Sequence, residues 1–249
     1  HIKTTAENQL NSELTKVVLG RPVRYHDHDD KKDKLAQTTM KEIAIEQGFK
    51  EIEFQFEPIA AALDYERTIE NEELALIVDI GGGTSDFTVV RINGNRQTND
   101  RKQDILANCG THIGGTDFDR ELSLKSIMPL LGKGSLMKSV NGSTIEVPSS
   151  LYHDLTTWHL LSFLYSHKTI NGLKQVYAAA KDKNLIQRVL HVLEKHLGHY
   201  LLNTAENAKI LLSDSVNTSI DLSVIEKNLA LNITRIQFEE SCINLISQL

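Results

Sequence analysis

A glycine turn between two apolar strands is the feature that most constrains this chain. Residues 74–80 (LALIVDI) form a continuous apolar run, and residues 88–92 (TVVRI) form a second β-rich run. The segment DIGGGTSD, which begins at Asp79, connects them. A continuous apolar run is typical of a strand that is buried on both faces. Because successive glycines cost chain entropy, a fold keeps three of them where its backbone must approach something closely.

The turn predicts a phosphate site, because the N–H groups of residues without Cβ atoms can point together at an anion. The residues that would form this site are Gly81, Gly82, Gly83, Thr84 and Ser85. Asp79 fits beside them if a divalent cation screens its carboxylate, and Mg²⁺ needs only one or two carboxylates. A P-loop is excluded because GxxxxGK[ST] does not occur, and a dinucleotide fingerprint is excluded because the glycines join two strands. An unliganded hairpin turn is the alternative, but the flanking strands favour binding.

The rest of the pattern predicts a mixed α/β fold with two subdomains. Strands are predicted at residues 17–20, 51–56 and 103–110, and helices over 31–49, over 114–128 and from Glu57 onward. Pro58 favours the start at Glu57, because its fixed φ suits the first helical position. Thr116 or Asp117 is expected to cap the 114–128 helix. The segments that follow are predicted as a loop at 133–150, mostly helix at 151–213, short β runs at 218–224 and 229–234, and an amphipathic helix at 235–249.

Charge and composition bound the partners and the compartment. A net charge of −6 leaves no electrostatic footprint for nucleic acid. No apolar run approaches the ~20 residues of a membrane span, so no membrane partner is expected. Cys109 and Cys242 are expected as buried small hydrophobes, and so few cysteines favour a reducing, cytoplasmic location. The chain starts at His1 and runs directly into helical sequence, so we expect an excised fragment.

Two further features favour structural roles. The YHDHDD run at 25–30 contains metal-binding residue types, but no ligand spacing is enforced, and a solvated loop is favoured. Trp158 and the apolar residues of 160–164 are expected in the core. If they were exposed instead, they would mark a docking patch.

Several segments resemble the DnaK-type heat-shock chaperones of the actin and hexokinase superfamily, in order and in spacing. VDIGGGTSDF is similar to the second phosphate motif of that family, and THIGGTDFDREL is similar to its THLGGEDFD segment. AENAKILLS has its ExxKxxxS pattern, TRIQFEESC its TRxxFEExC pattern, and FEPIAAALDYE its EPxAAA helix start. The GRPV variant is more like the divergent YegD-like branch.

The resemblance implies an α/β fragment of the actin-like ATPase (ribonuclease H-like) fold, with part of lobe I and most of lobe II. Residues 1–70 would be the C-terminal part of lobe I, and residues 71–249 would be lobe II. Lobe II would comprise core strands at 71–113, a helix-rich outer subdomain at 114–235 and a closing helix at 235–249. Residues 133–195 resemble nothing in the family and are expected to form a helical insert in the outer part of that lobe.

The resemblance also implies roles for residues near the phosphates. Glu57 would orient the attacking water and act as the catalytic residue. Asp79 would face Mg²⁺ through water, with Asp86 as a second metal candidate. Residues 81–84 would hold the β- and γ-phosphates of ATP.

Further residues would contact the rest of the nucleotide. Gly114 and Gly115 would approach the phosphates or the ribose. Glu206, Lys209 and Ser213 would meet the ribose and the adenine, and their i, i+3 and i+7 spacing puts all three on one helix face. Where the family often has an arginine against the adenine, this chain has Ile210, which offers no cation–π contact.

In the intact protein, the implied function is Mg-ATP binding and slow hydrolysis coupled to lobe closure, with ADP as product. Unfolded client proteins and co-chaperones are the implied partners. The alternatives are a nucleotide-sensing scaffold without turnover and a small-molecule kinase of the same superfamily. The first phosphate motif, the catalytic lysine and the later adenosine motif of the family have no counterpart in this chain. The fragment alone is therefore expected to bind ATP weakly and not to hydrolyse it.

Overall fold

The protein has a mixed α/β fold, and its computed structural model describes residues 1–26, 29–94 and 101–249. The chain forms two compact units, the first with residues 1–80 and 85–111 and the second with residues 81–84 and 112–249. The YHDHDD run was considered as a metal site, and its residues 27–28 lie outside the described part.

The first unit alternates helices and strands. Its elements are α1 (Ile2–Leu10), β1 (Lys16–Arg21), α2 (Asp30–Glu46), β2 (Glu51–Phe56), α3 (Glu57–Glu66), β3 (Glu73–Ile80), β4 (Ser85–Ile92) and β5 (Ile105–Thr111). β1 and β2 pair in parallel, and the antiparallel sheet of β3, β4 and β5 has that strand order. Asp29 caps α2 through hydrogen bonds from the Lys31 and Lys32 N–H groups. The predicted strands at 17–20, 51–56 and 88–92 and the helix start at Glu57 are confirmed. The strand predicted at 103–110 begins only at Ile105, after a 3₁₀ turn (Lys102–Asp104).

One face of the three-stranded sheet packs against α3. Ile59 and Ala62 of α3 are buried with Val90 and Ile92 of β4. These packed side chains form the apolar core of the first unit. The compact units therefore group α3 with the sheet, whereas the expected lobe boundary at residue 70 separates them. That lobe division concerns a longer protein and stays a prediction.

The expectation that residues 74–80 are buried on both faces is wrong. β3 is an edge strand of the sheet, and α3 covers the face to which Ala75 and Ile77 belong. The alternate residues of β3 are more than half or about half exposed: Leu74, Leu76, Val78 and Ile80. Cys109 of the other edge strand is also exposed, contrary to expectation, whereas Cys242 is buried as expected.

The second unit is rich in helices. Its elements are α4 (Gly115–Leu122), β6 (Leu136–Lys138), β7 (Thr144–Glu146), α5 (Ser150–Leu155), α6 (Leu161–Leu164), α7 (His167–Ala179), α8 (Lys183–Glu194), α9 (Gly198–Asp214), β8 (Asn217–Asp221), β9 (Ala230–Thr234) and α10 (Arg235–Ile246). A π-helical turn (Ser123–Ile127) and a 3₁₀ turn (Met128–Leu131) follow α4. β6 pairs with β7 and β8 pairs with β9, both antiparallel.

The start of α4 differs from the prediction. Gly114, and not Thr116 or Asp117, is the N-cap residue. The Asp117 carboxylate accepts a hydrogen bond from the Gly114 N–H at 3.0 Å, and the Asp117 N–H donates to the Gly114 carbonyl at 3.0 Å. Asp117 therefore stabilises the helix start from its third position, where an acidic residue also suits the helix dipole.

Residues 133–150, which were expected to form a loop, contain the β6–β7 hairpin. The turn uses Asn141 and Gly142, and Gly142 has a φ of +83°. The Asn141 side-chain oxygen accepts hydrogen bonds from the N–H and the hydroxyl of Ser143. Asn-Gly is a strong hairpin signal when alternating apolar residues flank it. The flanking strands here are only three residues each, too short for that pattern to be seen.

The segment of 133–195 without family resemblance shares the apolar core of the second unit. α8 contributes five buried side chains: Ile186, Val189, Leu190, Val192 and Leu193. Tyr152 of α5 is fully buried, and its hydroxyl donates to the Leu131 carbonyl oxygen at 3.1 Å. Burial raises the pKa of the Tyr152 hydroxyl well above its ordinary value. This segment is therefore a packed part of the unit.

Candidate functional site

The Gly81–Thr84 turn is tied to the first turn of α4. The Gly81 N–H donates to the Thr84 carbonyl oxygen at 2.9 Å, which closes the turn. The Gly115 N–H donates to the Gly81 carbonyl at 2.9 Å, and the Thr116 N–H donates to the Gly82 carbonyl at 2.8 Å. The Thr116 hydroxyl donates to the same Gly82 oxygen at 2.7 Å. Helix N–H groups that have no partner within the helix therefore hold the carbonyl groups of the turn.

The N–H groups of the same turn remain available. All four residues of Gly81–Thr84 are exposed. Within the described part of the chain, the N–H groups of Gly82, Gly83 and Thr84 have no hydrogen-bond acceptor. Successive backbone N–H groups in a turn form an anion-binding concavity. The turn is thus fixed on one side and able to bind an anion on the other.

Gly114 and Gly83 are suited to their positions for different reasons. A Cβ atom on Gly114 would lie 2.6 Å from backbone atoms of Gly82 and Gly83, so the fold itself requires a glycine there. A Cβ atom on Gly83 would meet nothing within 4 Å, and its φ lies outside the left-handed region. Neither packing nor backbone conformation explains Gly83, whereas the close approach of a ligand would.

Lys209 of α9 joins this assembly through its ammonium group. The Lys209 Nζ donates to the Gly115 carbonyl oxygen at 3.1 Å and lies 2.8 Å from the nearer carboxylate oxygen of Asp119. Burial raises the pKa of the Asp119 carboxyl, and the ammonium of Lys209 opposes that rise. Sequence reasoning missed Asp119. It is the last residue of the GGTDFD motif, four positions after Gly115, and that helical spacing was its signal.

Glu206 and Ser213 lie on the same face of α9 as Lys209, as their spacing predicts. Both residues are exposed. The Ser213 hydroxyl makes a long hydrogen bond of 3.4 Å to the Lys209 carbonyl oxygen of its own helix. Ile210 is 54% exposed on this face. The structure therefore brings Lys209 to Gly115 but leaves the other two side chains at the surface.

Three carboxylates of the first unit lie around one small cavity. Asp79 of β3 and Asp86 of β4 are direct cross-strand partners. Glu57 begins α3, and its carboxylate packs over Gly20, where a Cβ atom would lie 3.3 Å from Glu57 Cγ and Oε1. Burial raises the pKa of the Glu57 carboxyl, and the negative charges of Asp79 and Asp86 raise it further. Folding thus brings together groups that repel one another.

The cavity is the size of a single water. Its volume is about 10 Å³, and it is lined in part by Glu57, Asp79, Asp86, Thr88 and Asn108. A water needs ~10–15 Å³ of such space and two to four polar partners. The Asn108 side-chain amide donates to the Thr88 hydroxyl at 2.9 Å. The cavity therefore has the volume, and its lining has the polar partners, that a single water requires.

Ser85 and the two metal candidates, Asp79 and Asp86, are the remaining predicted site residues. Ser85 is fully buried as the first residue of β4, in contrast to the exposed turn before it, and burial does not favour direct contact with a ligand. Among the described residues, no cluster of three or more His, Cys, Asp or Glu side chains is arranged to hold a metal directly. The roles of Asp79 and Asp86 toward a metal stay predictions.

Comparison with known proteins agrees with this mixed α/β fold. A family model described as Hsp70 protein matches residues 1–128. Because that match covers just over half of the 249 residues, the chain belongs to the Hsp70 family. The predicted resemblance to DnaK-type chaperones is confirmed.

Curated relatives of this chain are heat-shock proteins. It is 27% identical, over 98% of its length, to a chloroplastic stromal 70 kDa heat shock-related protein of Pisum sativum, of which it covers 26%. It is 28% identical, over 98% of its length, to a chaperone protein DnaK of Prochlorococcus marinus (strain MIT 9515), of which it covers 29%. It is 26% identical, over 98% of its length, to a chaperone protein dnaK of Gracilaria tenuistipitata var. liui, of which it covers 30%. The chain thus spans under a third of the length of these relatives.

The predictions about membrane spans and about the cellular compartment depend on different observations. No helix in the described residues combines the length and the apolar character that a membrane span requires. The Pisum sativum relative is named as chloroplastic. The cytoplasmic location therefore stays a prediction.

Proposed function

We propose that this chain is part of an ATP-binding domain of a DnaK-like molecular chaperone, with the actin-like ATPase fold. Gly82, Gly83 and Thr84 would donate their N–H groups to the β- and γ-phosphates of ATP or ADP. The observation that carries this proposal is the exposed turn itself, whose carbonyl groups are held by α4 while these N–H groups have no acceptor in the described part of the chain. Gly114 contributes by permitting the close packing of turn and helix, and Gly115 contributes the N–H group that donates to the Gly81 carbonyl oxygen.

The carboxylates suit the metal that accompanies ATP. Asp79 and Asp86 would hold Mg²⁺ through its waters, which fits two carboxylates that face one another across a strand pair. Mg²⁺ supplies charge neutralisation of the phosphates when it is bound. Glu57 would orient the attacking water, and the water-sized cavity beside its carboxylate supports that role.

The contribution of α9 is narrower than the family resemblance implies. Glu206 and Ser213 remain proposed contacts of the ribose and the adenine. Lys209 already binds Gly115 and Asp119, so we propose that it holds the turn and α4 in place. Slow hydrolysis coupled to lobe closure, unfolded clients, co-chaperones and a cytoplasmic location are proposals for the longer protein.

Isothermal titration of this chain with Mg-ADP and Mg-ATP, together with a phosphate-release assay, tests the proposal. We expect weak binding without turnover. Gly83→Ala should weaken binding, because a methyl group would occupy the open space in front of the N–H groups. Gly172→Ala in α7 is the matched control, since a Cβ atom there also meets nothing within 4 Å. Equal binding by both variants would contradict the proposed phosphate site. Micromolar affinity with turnover in the unmodified chain would contradict the expectation that this chain alone binds weakly.

A further inference from the structure

The sequence contains three Asn-Gly pairs, and the fold holds each of them differently. They are Asn93–Gly94, Asn141–Gly142 and Asn171–Gly172. The side-chain amide of an asparagine can react with the backbone nitrogen of the next residue. A glycine in that position presents the least steric obstacle, because it has no Cβ atom. Which pair can react therefore depends on the backbone around it.

Asn171 is exposed, but its backbone is fixed in a helix. It is the fifth residue of α7 (His167–Ala179), and both Asn171 and Gly172 are at the surface. The Gly172 N–H belongs to the hydrogen-bond ladder of the helix, which joins each N–H to the carbonyl oxygen four residues earlier. Attack by this nitrogen on the Asn171 side chain therefore requires a turn of α7 to unwind.

Asn93 and Gly94 are held by packing. The Asn93 N–H donates to the Glu66 carboxylate at 2.8 Å. A Cβ atom on Gly94 would lie 2.1 Å from the Ile69 carbonyl oxygen and 3.0 Å from that of Glu66. The backbone of this pair therefore cannot rotate to close a ring unless the surrounding structure opens locally.

Asn141 lies at the exposed tip of the β6–β7 hairpin, and its side-chain carbonyl is polarised. Its oxygen accepts hydrogen bonds from Ser143, from the N–H at 3.1 Å and from the hydroxyl at 2.7 Å. Donors aimed at a carbonyl oxygen stabilise the negative charge that develops there when a nucleophile attacks the carbon. The two donors of Ser143 therefore favour attack on the Asn141 side chain.

The attacking nitrogen, that of Gly142, is held by a hydrogen bond at the surface. The Gly142 N–H donates to the Ser139 carbonyl oxygen at 2.9 Å, and this bond must open before attack. The flanking strands are only three residues long, and a Cβ atom on Gly142 would meet nothing within 4 Å. Exposed backbone bonds with few packed neighbours open at the lowest free-energy cost. The hairpin tip can therefore release this nitrogen without disturbing the core.

We propose that Asn141 is a self-modification site, which deamidates through a cyclic imide. The Gly142 nitrogen loses its proton to solvent and forms a bond to Asn141 Cγ. The Cγ–Nδ2 bond breaks, and the side-chain nitrogen takes up a proton and leaves as ammonia. Water then adds to one of the two imide carbonyl groups and opens the ring, with no change in oxidation state.

The two ways of opening the ring give different hairpins. Addition of water at Cγ leaves an ordinary aspartate, whose carboxylate can accept from the same Ser143 donors. The turn then persists with one more negative charge. Addition at the main-chain carbonyl leaves the chain connected through Cγ, which lengthens the main chain by one carbon. That product disturbs the pairing of β6 with β7, in which Met137 is opposite Ile145.

Peptide mapping by mass spectrometry, after incubation of the 249-residue chain at mildly alkaline pH, tests the proposal. Trypsin releases the pairs in separate peptides, because a lysine or arginine lies between each pair and the next. In the native chain, Asn141 should lose its amide ~10-fold or more faster than Asn93 and Asn171, which react only after local opening. In the urea-unfolded chain the three rates should become similar. A native chain in which Asn93 or Asn171 reacts as fast as Asn141 would overturn the proposal.

The role of Ser143 has its own variant and control. Ser143→Ala should slow deamidation of Asn141 ~2- to 12-fold, the factor that corresponds to the net contribution of one hydrogen bond. Ser139→Ala is the matched control, because the Ser139 hydroxyl belongs to the same hairpin and forms no hydrogen bond with the described residues. It should leave the rate unchanged. An unchanged or faster reaction in Ser143→Ala would overturn activation by this residue.

Discussion

Gly83 is part of the glycine turn and Gly114 packs against it, but only Gly114 is required by the fold. Gly114→Ala would put a methyl group 2.6 Å from the backbone of Gly82 and Gly83, which cannot move aside as a flexible side chain can. We expect this overpacking to destabilise the protein by about 1–3 kcal/mol, measured by urea unfolding. Gly83→Ala should change the stability little. A Gly114→Ala variant as stable as the unmodified chain would show that the turn and α4 are not packed as described.

The pKa of Glu57 makes a prediction about stability and pH. Because burial and the charges of Asp79 and Asp86 raise this pKa above 4.5, ionised Glu57 weakens the folded state. That penalty is complete above the raised pKa and absent below the unfolded value. Glu57→Gln should therefore melt at a higher temperature than the unmodified chain at neutral pH. The difference should disappear as the pH falls toward 4.5, and a difference that is constant with pH would contradict this cause.

At the scale of elements, two carboxylates of the β3–β4 strand pair repel one another. Asp79 and Asp86 are directly opposite one another, and like charges in that arrangement are destabilising. We expect Asp79→Asn to stabilise the chain by about 0.2–1 kcal/mol. The gain should be at the lower end because Asp79 is exposed, and it should shrink in high salt. Urea unfolding at two salt concentrations measures it, and a loss of stability would contradict the repulsion.

Most elements could be predicted from the sequence because their signals are local. Pro58 marks the start of α3, Asp29 caps α2, and the glycine turn marks the end of β3 and the start of β4. The burial of β3 could not be predicted, since an apolar run does not reveal how many faces a sheet has covered. The β6–β7 hairpin was missed because its strands are too short to show a period. Trp158, which is 66% exposed and not in the core, was misplaced because one aromatic residue in an apolar segment does not reveal which way it points.

The parts of the candidate site that lie within single sequence motifs could be predicted from the sequence. The glycine turn and the positions of Glu57 and Lys209 follow from local patterns. The pairing of Lys209 with Asp119 depends on the packing of α9 against α4. The raised pKa of Glu57 depends on burial of its carboxyl and on the charges of a strand pair elsewhere in the chain. Such relations come from tertiary structure and have no signature in one segment.

At the scale of the whole molecule, residues with proposed roles toward the nucleotide occur in each of the two units. The carboxylates belong to the first unit, and the glycine turn, α4 and α9 belong to the second. In a longer protein that hydrolyses ATP, Asp79→Asn should mainly weaken Mg-ATP binding, because an amide is a poorer partner for metal-bound water. Glu57→Ala should spare binding and slow single-turnover hydrolysis ~10²–10⁴-fold, since it acts in the transition state. Unchanged hydrolysis in the Glu57 variant would return this residue to a structural helix start.

The central claim is that the backbone N–H groups of the Gly81–Thr84 turn bind phosphate, and amide NMR of the isotope-labelled chain tests it most directly. On titration with Mg-ADP, the amide resonances of Gly82, Gly83 and Thr84 should shift progressively, because each N–H exchanges water for a charged acceptor. Adenosine, which carries no phosphate, should leave these three resonances in place. Resonances of the turn that stay unmoved at ADP concentrations that shift other amides would contradict the claim.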